Sequence, residues 1–180
     1  MMSNCNFWYV FSVRTGSELK IINQLKQESR FENFIPFILK KTSIYRRKGK
    51  KTEFEQNCFP GYIFIESSKC ADEFRRFLFP VVYRIKDVFK LLHYGEDRSD
   101  IVLRHEEREM LSNIFGVNYS IGISKIYKKG DMVKIVSGSL IGYEGIIKRI
   151  NSQGKIAVIE VTMFNMPIEI NVGIEFISII

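Results

Sequence analysis

The chain has 180 residues, which is enough for one or two domains with real hydrophobic cores. Its formal net charge of +7 favours polyanionic partners or acidic protein surfaces. The three cysteines, Cys5, Cys58 and Cys70, lack metal-ligand spacing and do not form an even set, so we expect a reducing cytoplasm, no disulfide framework and no cofactor. A membrane span and a signal peptide are not expected, because no apolar run is long enough and residues 1–13 lack a charged start and a cleavage site.

Strand and helix patterns alternate in the first half of the chain. Aromatic and β-branched residues at 8–13 predict an opening strand. Thr15 and Glu18 have the spacing of a capping box, and apolar residues recurring every three positions then predict an amphipathic helix that ends near Phe31. Residues 34–39 form a second apolar strand pattern, in which Pro36 indicates an edge position or a bulge.

The densest positive charge of the chain follows this second strand. Residues 40–51 hold seven basic side chains and no acidic one, and Gly49 offers a turn. We therefore predict a basic hairpin arm near nucleic acid, with a solvated loop as the alternative. The residues of this arm that we expect to face DNA are Arg46, Arg47, Lys48, Lys50 and Lys51.

The central strand pattern opens with Phe59-Pro60-Gly61-Tyr62 and runs over residues 61–66. Its residues are apolar at both odd and even positions, which point to opposite faces of a strand. A strand here therefore needs cover on both faces. Residues 71–79 predict a second helix that Pro80 ends, and residues 81–85 predict a further strand. This order is typical of an α+β sandwich, in which helices cover one face of an antiparallel sheet.

The other face of this sheet has no helix to cover it. An aromatic face without local cover is typical of a binding site for single-stranded bases or for an apolar helix of a partner. A central strand in a closed core is the alternative. The aromatic residues of this half include Trp8, Phe34, Phe59, Tyr62 and Phe64.

The second half has a different pattern. Residues 91–97 indicate a loop, residues 103–115 a third helix that Gly116 ends, and the small, uncharged stretch at 116–124 a linker. Short strand patterns with glycine-bearing turns follow, and they predict a small five-stranded β-barrel. We expect its strands at 131–136, 145–150, 155–162, 167–171 and 174–177.

The sequence does not indicate an enzyme. Its two histidines, His93 and His105, accompany no nucleophile motif and no phosphate-binding glycine loop. Glu106, Glu107 and Glu109 alternate with arginines in one predicted helix, which is typical of a helix surface rather than of a catalytic pair.

Both halves resemble the NusG family of transcription elongation factors. In the first half the resemblance rests on the strand at 8–10, the helix after Thr15-Gly16 and, above all, Phe59-Pro60-Gly61-Tyr62. In the second half it rests on a KOW motif, namely Gly130-Asp131, Val133, Ile135, Gly138, Leu140, Gly142 and Gly145. The resemblance implies a polymerase-binding NGN-like domain at 1–116, a linker at 117–125 and an SH3-like KOW barrel at 126–180.

The chain departs from general NusG proteins at several family motifs. Pro80-Val81-Val82 stands at the usual Pro-Gly-Val, Gly138-Ser139-Leu140 at Gly-Pro-Phe, and Phe164-Asn165-Met166 at Phe-Gly-Arg. With the Leu-Leu-His-Tyr-Gly-Glu-Asp segment at 91–97, these departures are most similar to the LoaP branch of operon-specific antitermination factors. RfaH is the other specialised branch, but the β-branched run at 158–162 favours a strand over the helical hairpin that RfaH can form.

The resemblance implies that a monomeric protein binds the clamp helices of RNA polymerase, with upstream or non-template DNA facing the arm. The residues expected at the polymerase are Trp8, Phe34, Phe59, Pro60, Gly61 and Tyr62.

We also predict that the barrel binds a hairpin in the nascent RNA, because basic residues flank the turn at 151–154 and the first barrel strand could lie beside it. The residues expected at this RNA are Lys128, Lys129, Lys148, Arg149, Asn151, Gln153 and Lys155. One alternative is a generic RNA-binding KOW protein. The other is a general elongation factor or adaptor, whose barrel binds Rho or a ribosomal protein through Leu140, Ile141 and Phe164.

Overall fold

The computed structural model describes residues 6–28, 34–47, 50–96, 98–129 and 132–177, without the side chains of residues 45–47, 51, 128 and 129. Contacts divide the chain into two compact units that alternate along the sequence. The first unit comprises Met1–Ile38 and Phe59–Arg108, and the second comprises Leu39–Cys58 and Glu109–Ile180. The domain bounds 1–116, 117–125 and 126–180 stay a prediction.

The first unit is built on a four-stranded antiparallel sheet with the order β2-β5-β1-β6. Its strands are β1 (Phe7–Val13), β2 (Phe34–Phe37), β5 (Tyr62–Ser67) and β6 (Val88–Leu91). Strand β5 lies between two neighbours. Ile63 and Phe64, which point to opposite faces of β5, are fully buried, so both faces are covered as the apolar pattern predicts. Pro36 lies in the edge strand β2, which confirms the prediction for this proline.

Two helices, α1 (Glu18–Gln27) and α2 (Ala71–Val82), cover one face of this sheet. Ile21 and Leu25 from α1 and Phe74 from α2 join Tyr9 of β1 in one buried cluster. The rings of Tyr9 and Phe74 stack with their centroids 3.5 Å apart. Burial raises the pKa of the Tyr9 hydroxyl, which donates a hydrogen bond of 2.7 Å to the carbonyl oxygen of Lys69. The predicted α+β sheet with helices on one face is confirmed.

Pro80 does not end α2, so the predicted strand at 81–85 is wrong. The helix continues to Val82, and the next strand is β6. Phe74, Leu78 and Val82 follow the four-residue spacing of a helix and are at most 1% exposed. Packing of this stripe keeps the last turn helical, because burial outweighs the unfavourable propensity of an exposed proline.

The third helix, α3 (His105–Phe115), begins two residues later than predicted. Glu106 and Glu109 are exposed, as expected of a helix surface, but Glu107 is buried. Its carboxylate accepts a hydrogen bond from the hydroxyl of Tyr94. Burial and this hydrogen bond raise the pKa of Tyr94. Glu107 is therefore part of the interior of the first unit, and the surface prediction is wrong for it.

The second unit contains a five-stranded sheet with the order β10-β11-β12-β8-β9. Its strands are β8 (Ser124–Lys129), β9 (Met132–Ser137), β10 (Ile147–Asn151), β11 (Ile156–Met163) and β12 (Met166–Phe176), and a short 3-10 helix at Glu144–Ile146 precedes β10. The number of strands agrees with the prediction, and β9, β10 and β11 lie within two residues of the strands predicted at 131–136, 145–150 and 155–162. Strand β8 begins in the predicted linker, and β12 joins the two last predicted strands across Gly173.

The predicted hairpin arm is confirmed and belongs to the second unit. Its strands β3 (Lys40–Arg47) and β4 (Lys50–Asn57) pair antiparallel, and β7 (Ser120–Ile121) pairs with β3 in parallel. Glu55 accepts hydrogen bonds from Lys40 Nζ at 2.6 Å and from Ser120 Oγ at 2.9 Å. The bond from Lys40 lowers the pKa of Glu55. Part of the predicted linker is thus paired with the arm.

Across the described residues, no helix is long and apolar enough to cross a membrane.

Candidate functional site

Phe59-Pro60-Gly61-Tyr62 forms a tight turn at the start of β5. The N–H of Tyr62 donates to the carbonyl oxygen of Phe59 at 3.1 Å, and Gly61 has a φ of +86°. Proline at the second position and a left-handed glycine at the third are typical of a type II turn. A Cβ at Gly61 would also lie 3.1 Å from Thr15 Oγ1. The motif therefore requires glycine at position 61, because any other residue would be strained at this positive φ and would crowd Thr15.

A buried carboxylate holds this turn against the start of α1. Glu18 is 6% exposed and accepts hydrogen bonds from the backbone N–H groups of Gly61 and Gly16, each at 2.7 Å. The predicted capping box is wrong, because the N-cap is Ser17 and it makes no side-chain capping bond. Glu18 instead joins the first turn of α1 to a segment 43 residues away.

The aromatic residues on the second face of the sheet are buried, so the prediction of an uncovered face is wrong. Trp8 and Phe59 are each 3% exposed, and Phe64 is fully buried. The ring of Phe64 lies 6.0 Å from that of Trp8 and 5.8 Å from that of Phe59, with edge-to-face geometry. The indole N–H of Trp8 donates to Glu66 at 3.1 Å. These contacts favour the alternative prediction for the strand at 61–66, which is a central strand in a closed core.

Phe34 lies on the opposite face, under the helices, where its ring is 5.8 Å from that of Phe74. Of the residues predicted to bind polymerase, Pro60 is exposed and Tyr62 is half-buried. The remaining four, which are Trp8, Phe34, Phe59 and Gly61, are buried. Polymerase binding stays a prediction for the whole set, and only Pro60 and Tyr62 present accessible side chains for it.

Two of the basic residues predicted to bind RNA are ion-paired within the barrel. Lys148 Nζ lies 2.9 Å from Glu160, and Arg149 Nη2 lies 2.8 Å from Glu169. All four side chains are at least one-third exposed, so each pair is worth only ~0–1 kcal/mol. A phosphate can compete for these cations, but it must displace a carboxylate to do so.

The turn between β10 and β11 carries three further predicted RNA contacts. Asn151 serves the turn itself, because its Oδ1 accepts a hydrogen bond of 2.8 Å from the N–H of Gly154. Gln153 is exposed, and Lys155 is half-buried. Lys155 has a φ of +52°, in the left-handed region that L-residues rarely adopt. The turn therefore holds Lys155 in a strained backbone conformation.

Lys128 and Lys129 lie at the end of β8, and their place beside this turn stays a prediction. Ser124, at the start of β8, pairs with Ile174 of β12, next to the turn. Lys128 lies four residues further along β8, about 13 Å from Ser124 at ~3.3 Å per residue. The side chains of both lysines lie outside the described residues.

The arm residues predicted to face DNA are only partly described. Lys50 is exposed. Lys48 and the side chains of Arg46, Arg47 and Lys51 lie outside the described residues.

The arm and the barrel also form a cleft that the sequence did not predict. Lys41 and Ser43 of β3 line it opposite Lys155 and Asn171, in a volume of about 280 Å³. Ser43 and Asn171 carried no sequence signal, because only the packing of the arm against β12 brings them together.

The barrel residues of the protein-binding alternative differ in exposure. Ile141 is 55% exposed, whereas Leu140 is fully buried and Phe164 is 6% exposed. Gly138 has a φ of +106°, and a Cβ there would lie 2.7 Å from Ser124. Ser124 Oγ also accepts a hydrogen bond of 3.3 Å from the N–H of Leu140. Leu140 and Phe164 are therefore interior residues, and only Ile141 offers a surface contact.

Comparisons with known proteins point to one family. A family model described as "Transcription termination factor nusG" matches residues 6–112. Two curated relatives are each named "Transcription termination/antitermination protein NusG". The one from Streptococcus pyogenes serotype M1 is 27% identical over 152 residues, covering 81% of each chain. The one from Thermus thermophilus is 26% identical over 178 residues, covering 91% of this chain and 94% of the relative.

A solved structure, "Domain interaction in Thermotoga maritima NusG", shares the fold. Its TM-score is 0.53, with 22% identity over 93% of each chain. The chain has the mixed α+β architecture of that structure, with a curled five-stranded sheet at its C-terminal end. The matched relatives are transcription factors and not enzymes. Because the family model covers more than half of its residues, this chain belongs to the NusG family.

Proposed function

We propose that this protein is an operon-specific antitermination factor that binds RNA polymerase with its first unit and nascent RNA with its barrel. The observation that carries the polymerase part is the turn at 59–62, which Glu18 fixes while Pro60 and Tyr62 remain at the surface. The name of the matched relatives, which joins termination and antitermination, supports the general role. The departures at Val81 and Ser139 support the specialised LoaP branch.

In the proposed mechanism the protein acts by contact and carries out no chemistry. Tyr62 and Pro60 meet the clamp helices of RNA polymerase, and the first unit bridges the cleft that holds DNA. A clamp held closed disfavours pausing, and the polymerase then reads through terminators. A barrel carried on the same chain meets the emerging RNA at a high effective concentration.

The polymerase contact is tested by replacing Tyr62 with alanine and measuring binding to purified RNA polymerase. Aromatic residues at interface centres often contribute ~2 kcal/mol or more, so we expect affinity to fall about 30-fold or further. Tyr83→Ala is the matched control, since Tyr83 is a 50% exposed tyrosine of the same unit. A folded Tyr62→Ala protein that binds as tightly as the Tyr83→Ala control would contradict the proposal.

The arm is proposed to lie along upstream or non-template DNA without reading its sequence. Replacing Arg46, Arg47 and Lys48 with serine removes three cations, and each phosphate contact contributes ~0.9 to the salt dependence of binding to duplex DNA. We expect a flatter plot of log affinity for the elongation complex against log salt concentration. An unchanged slope would leave the arm as a solvated hairpin.

Operon specificity is tested by transcription in vitro from two templates. One carries the leader of the operon beside this gene, and the other carries an unrelated leader with a terminator of similar strength. We expect read-through to rise on the first template alone. Equal read-through on both would support a general NusG-like factor.

The second candidate is a general elongation factor whose barrel binds Rho or a ribosomal protein. The observation in its favour is the 55% exposure of Ile141, an apolar side chain at a barrel turn. If this candidate is right, Ile141→Asp abolishes an effect of the protein on Rho-dependent termination. If the antitermination proposal is right, Ile141→Asp leaves read-through on the specific template unchanged.

A further inference from the structure

A cleft in the second unit lies between the arm and the barrel. Strand β3 forms one wall with Lys41 and Ser43, while the turn after β10 and strand β12 form the other with Gln153, Lys155 and Asn171. Its volume of about 280 Å³ is at the lower end of the range for ligand pockets, which begins at ~300 Å³. Such a space suits one small unit of a ligand, such as a single nucleotide, rather than a helix.

The walls of the cleft are fixed by close backbone packing. Gly173 of β12 faces the arm, and a Cβ on it would lie 3.1 Å from the carbonyl oxygen of Thr42. Only glycine allows β3 and β12 to approach this closely without a shift of the backbone. The N–H of Lys40 also donates to the carbonyl oxygen of Tyr119 at 2.8 Å, which ties the base of the arm to β7. These close backbone contacts therefore fix the walls of the cleft within the second unit.

Its two cations have no carboxylate partner in the described part of the chain. No described acidic side chain forms an ion pair with Lys41 or Lys155. In contrast, Lys148 and Arg149 are each paired with a glutamate. The cleft therefore holds two cations that no described carboxylate neutralises, and this charge favours an external anion.

The backbone of Lys155 adds an independent observation. Its φ of +52° lies in the left-handed region, although a glycine would adopt this conformation without strain. The carbonyl oxygen of Lys155 accepts a hydrogen bond of 3.0 Å from the N–H of Ile174, so the conformation is held in place. Residues kept in strained conformations concentrate at ligand sites, and this lysine lines the cleft.

We propose that this cleft binds one nucleotide of a single-stranded RNA segment. Lys41 and Lys155 contact the phosphate as point charges, which neutralises the backbone without reading sequence. The side-chain amides of Gln153 and Asn171 each offer a donor and an acceptor, and these contact the base edge or the ribose 2′-hydroxyl. The assignment rests on the proposed function, in which the second unit binds nascent RNA, and it names the place where the strand is held.

The test measures fluorescence anisotropy of the full chain with labelled single-stranded RNA of mixed sequence and with DNA of the same sequence. Lys41→Ala and Lys155→Gly each remove one cation from the phosphate, and we expect about tenfold weaker RNA binding, the effect of one charge-assisted hydrogen bond. The slope of log affinity against log salt concentration becomes shallower by ~0.7 for each lysine removed, the value for a single strand. Gln153→Ala is expected to narrow the preference for RNA over DNA.

Lys155→Gly should not disturb folding, because glycine adopts the positive φ without strain. The far-ultraviolet circular dichroism of this variant should therefore match that of the unaltered chain. Lys134→Ala is the charge-matched control, since Lys134 is an exposed lysine of β9 outside the cleft. If both cleft variants bind RNA as the Lys134→Ala control does, the cleft assignment fails while the RNA role survives. If the unaltered chain binds no RNA, the RNA role and the cleft assignment fail together. Tighter binding of DNA than of RNA would overturn the assignment to RNA.

Discussion

Replacing Glu18 with alanine should destabilise the first unit far more than the loss of an ordinary helix residue. Its carboxylate accepts two backbone hydrogen bonds of 2.7 Å, from Gly16 and from the buried N–H of Gly61. A hydrogen bond to a charged group contributes ~1.5–3 kcal/mol, and a buried donor left without a partner keeps its desolvation cost. We therefore expect Glu18→Ala to lower the free energy of unfolding by about 3–4 kcal/mol.

Glu18→Gln separates the loss of acceptors from the loss of side-chain volume. Glutamine fills the same space but offers one acceptor oxygen, so one of the two N–H groups meets an amide donor instead. We expect about half of the effect of alanine, near 2 kcal/mol. Glu28→Ala is the control, because Glu28 is exposed just after α1 and such surface changes stay within ~0.5 kcal/mol.

The assay is urea unfolding followed by the fluorescence of Trp8, the only tryptophan of the chain and a buried residue of the first unit. With an m-value of ~2 kcal/mol/M, a loss of 3–4 kcal/mol moves the midpoint down by about 1.5–2 M. A shift no larger than that of Glu28→Ala, at an unchanged m-value, would refute the view that Glu18 holds the turn.

Four further predictions concern the first unit and the cysteines. Gly61→Ala forces an L-residue into a φ of +86°, so it should lower the free energy of unfolding by ~1–2 kcal/mol; a neutral effect in the same urea assay would contradict the left-handed turn. Phe74→Ala should lower the free energy of unfolding by ~3–5 kcal/mol because the Phe74 ring is fully buried, whereas Phe77, 48% exposed, should tolerate alanine. Equal losses of stability in the two variants would contradict the placement of Phe74 in the core. Burial raises the pKa of Cys58 from 9.0 to about 12, so at pH 8 iodoacetamide should label the exposed Cys70 and leave Cys58 intact until denaturant is added; rapid labelling of both would show an open Cys58. Because the unfolded chain ionises Cys58 more easily, stability should fall as the pH rises from about 9 towards 12.

Local patterns predicted the secondary structure well wherever burial follows the periodicity of one segment. The strand that starts at Tyr62 is apolar at both odd and even positions, and Ile63 and Phe64, on opposite faces of β5, are indeed fully buried. The stripe at Phe74 and Leu78 marked α2 correctly, but it also continues to Val82. Pro80 on its own predicts a helix end at residue 79, whereas the buried stripe extends the helix to Val82.

The bounds of strands are hard to predict where pairing with a distant strand determines them. The gap between the strands predicted at 167–171 and 174–177 falls inside β12, where Gly173 allows β3 to approach closely. Ser124 begins β8, although its surroundings had the composition of a linker. Both errors have one origin, because pairing with segments far away in the sequence is not visible in local composition.

The candidate site was less predictable than the fold. Apolar residues on both faces of β5 required cover on both, but the sequence could not say whether a partner or the chain itself covers Trp8 and Phe59. The bond from Gly61 to Glu18 joins segments 43 residues apart, and no local pattern indicates it. Likewise, the ion pair of Arg149 with Glu169 depends on the order of the strands. Counting charges along the sequence cannot show that this arginine already has a carboxylate partner.

The division of the second unit along the chain sets the order in which the protein can be completed during translation. The arm, at Leu39–Cys58, leaves the ribosome before the first unit ends at Arg108 and long before β12 is made. At ~5–20 residues per second, roughly ten seconds separate the arm from the strand that Gly173 brings against it. The first unit can therefore close while the arm is still an insertion between β2 and the turn at Phe59, a basic hairpin without its final neighbours. The nascent chain completes the first unit first, and the cleft beside Lys41 comes into being only as the last strand emerges.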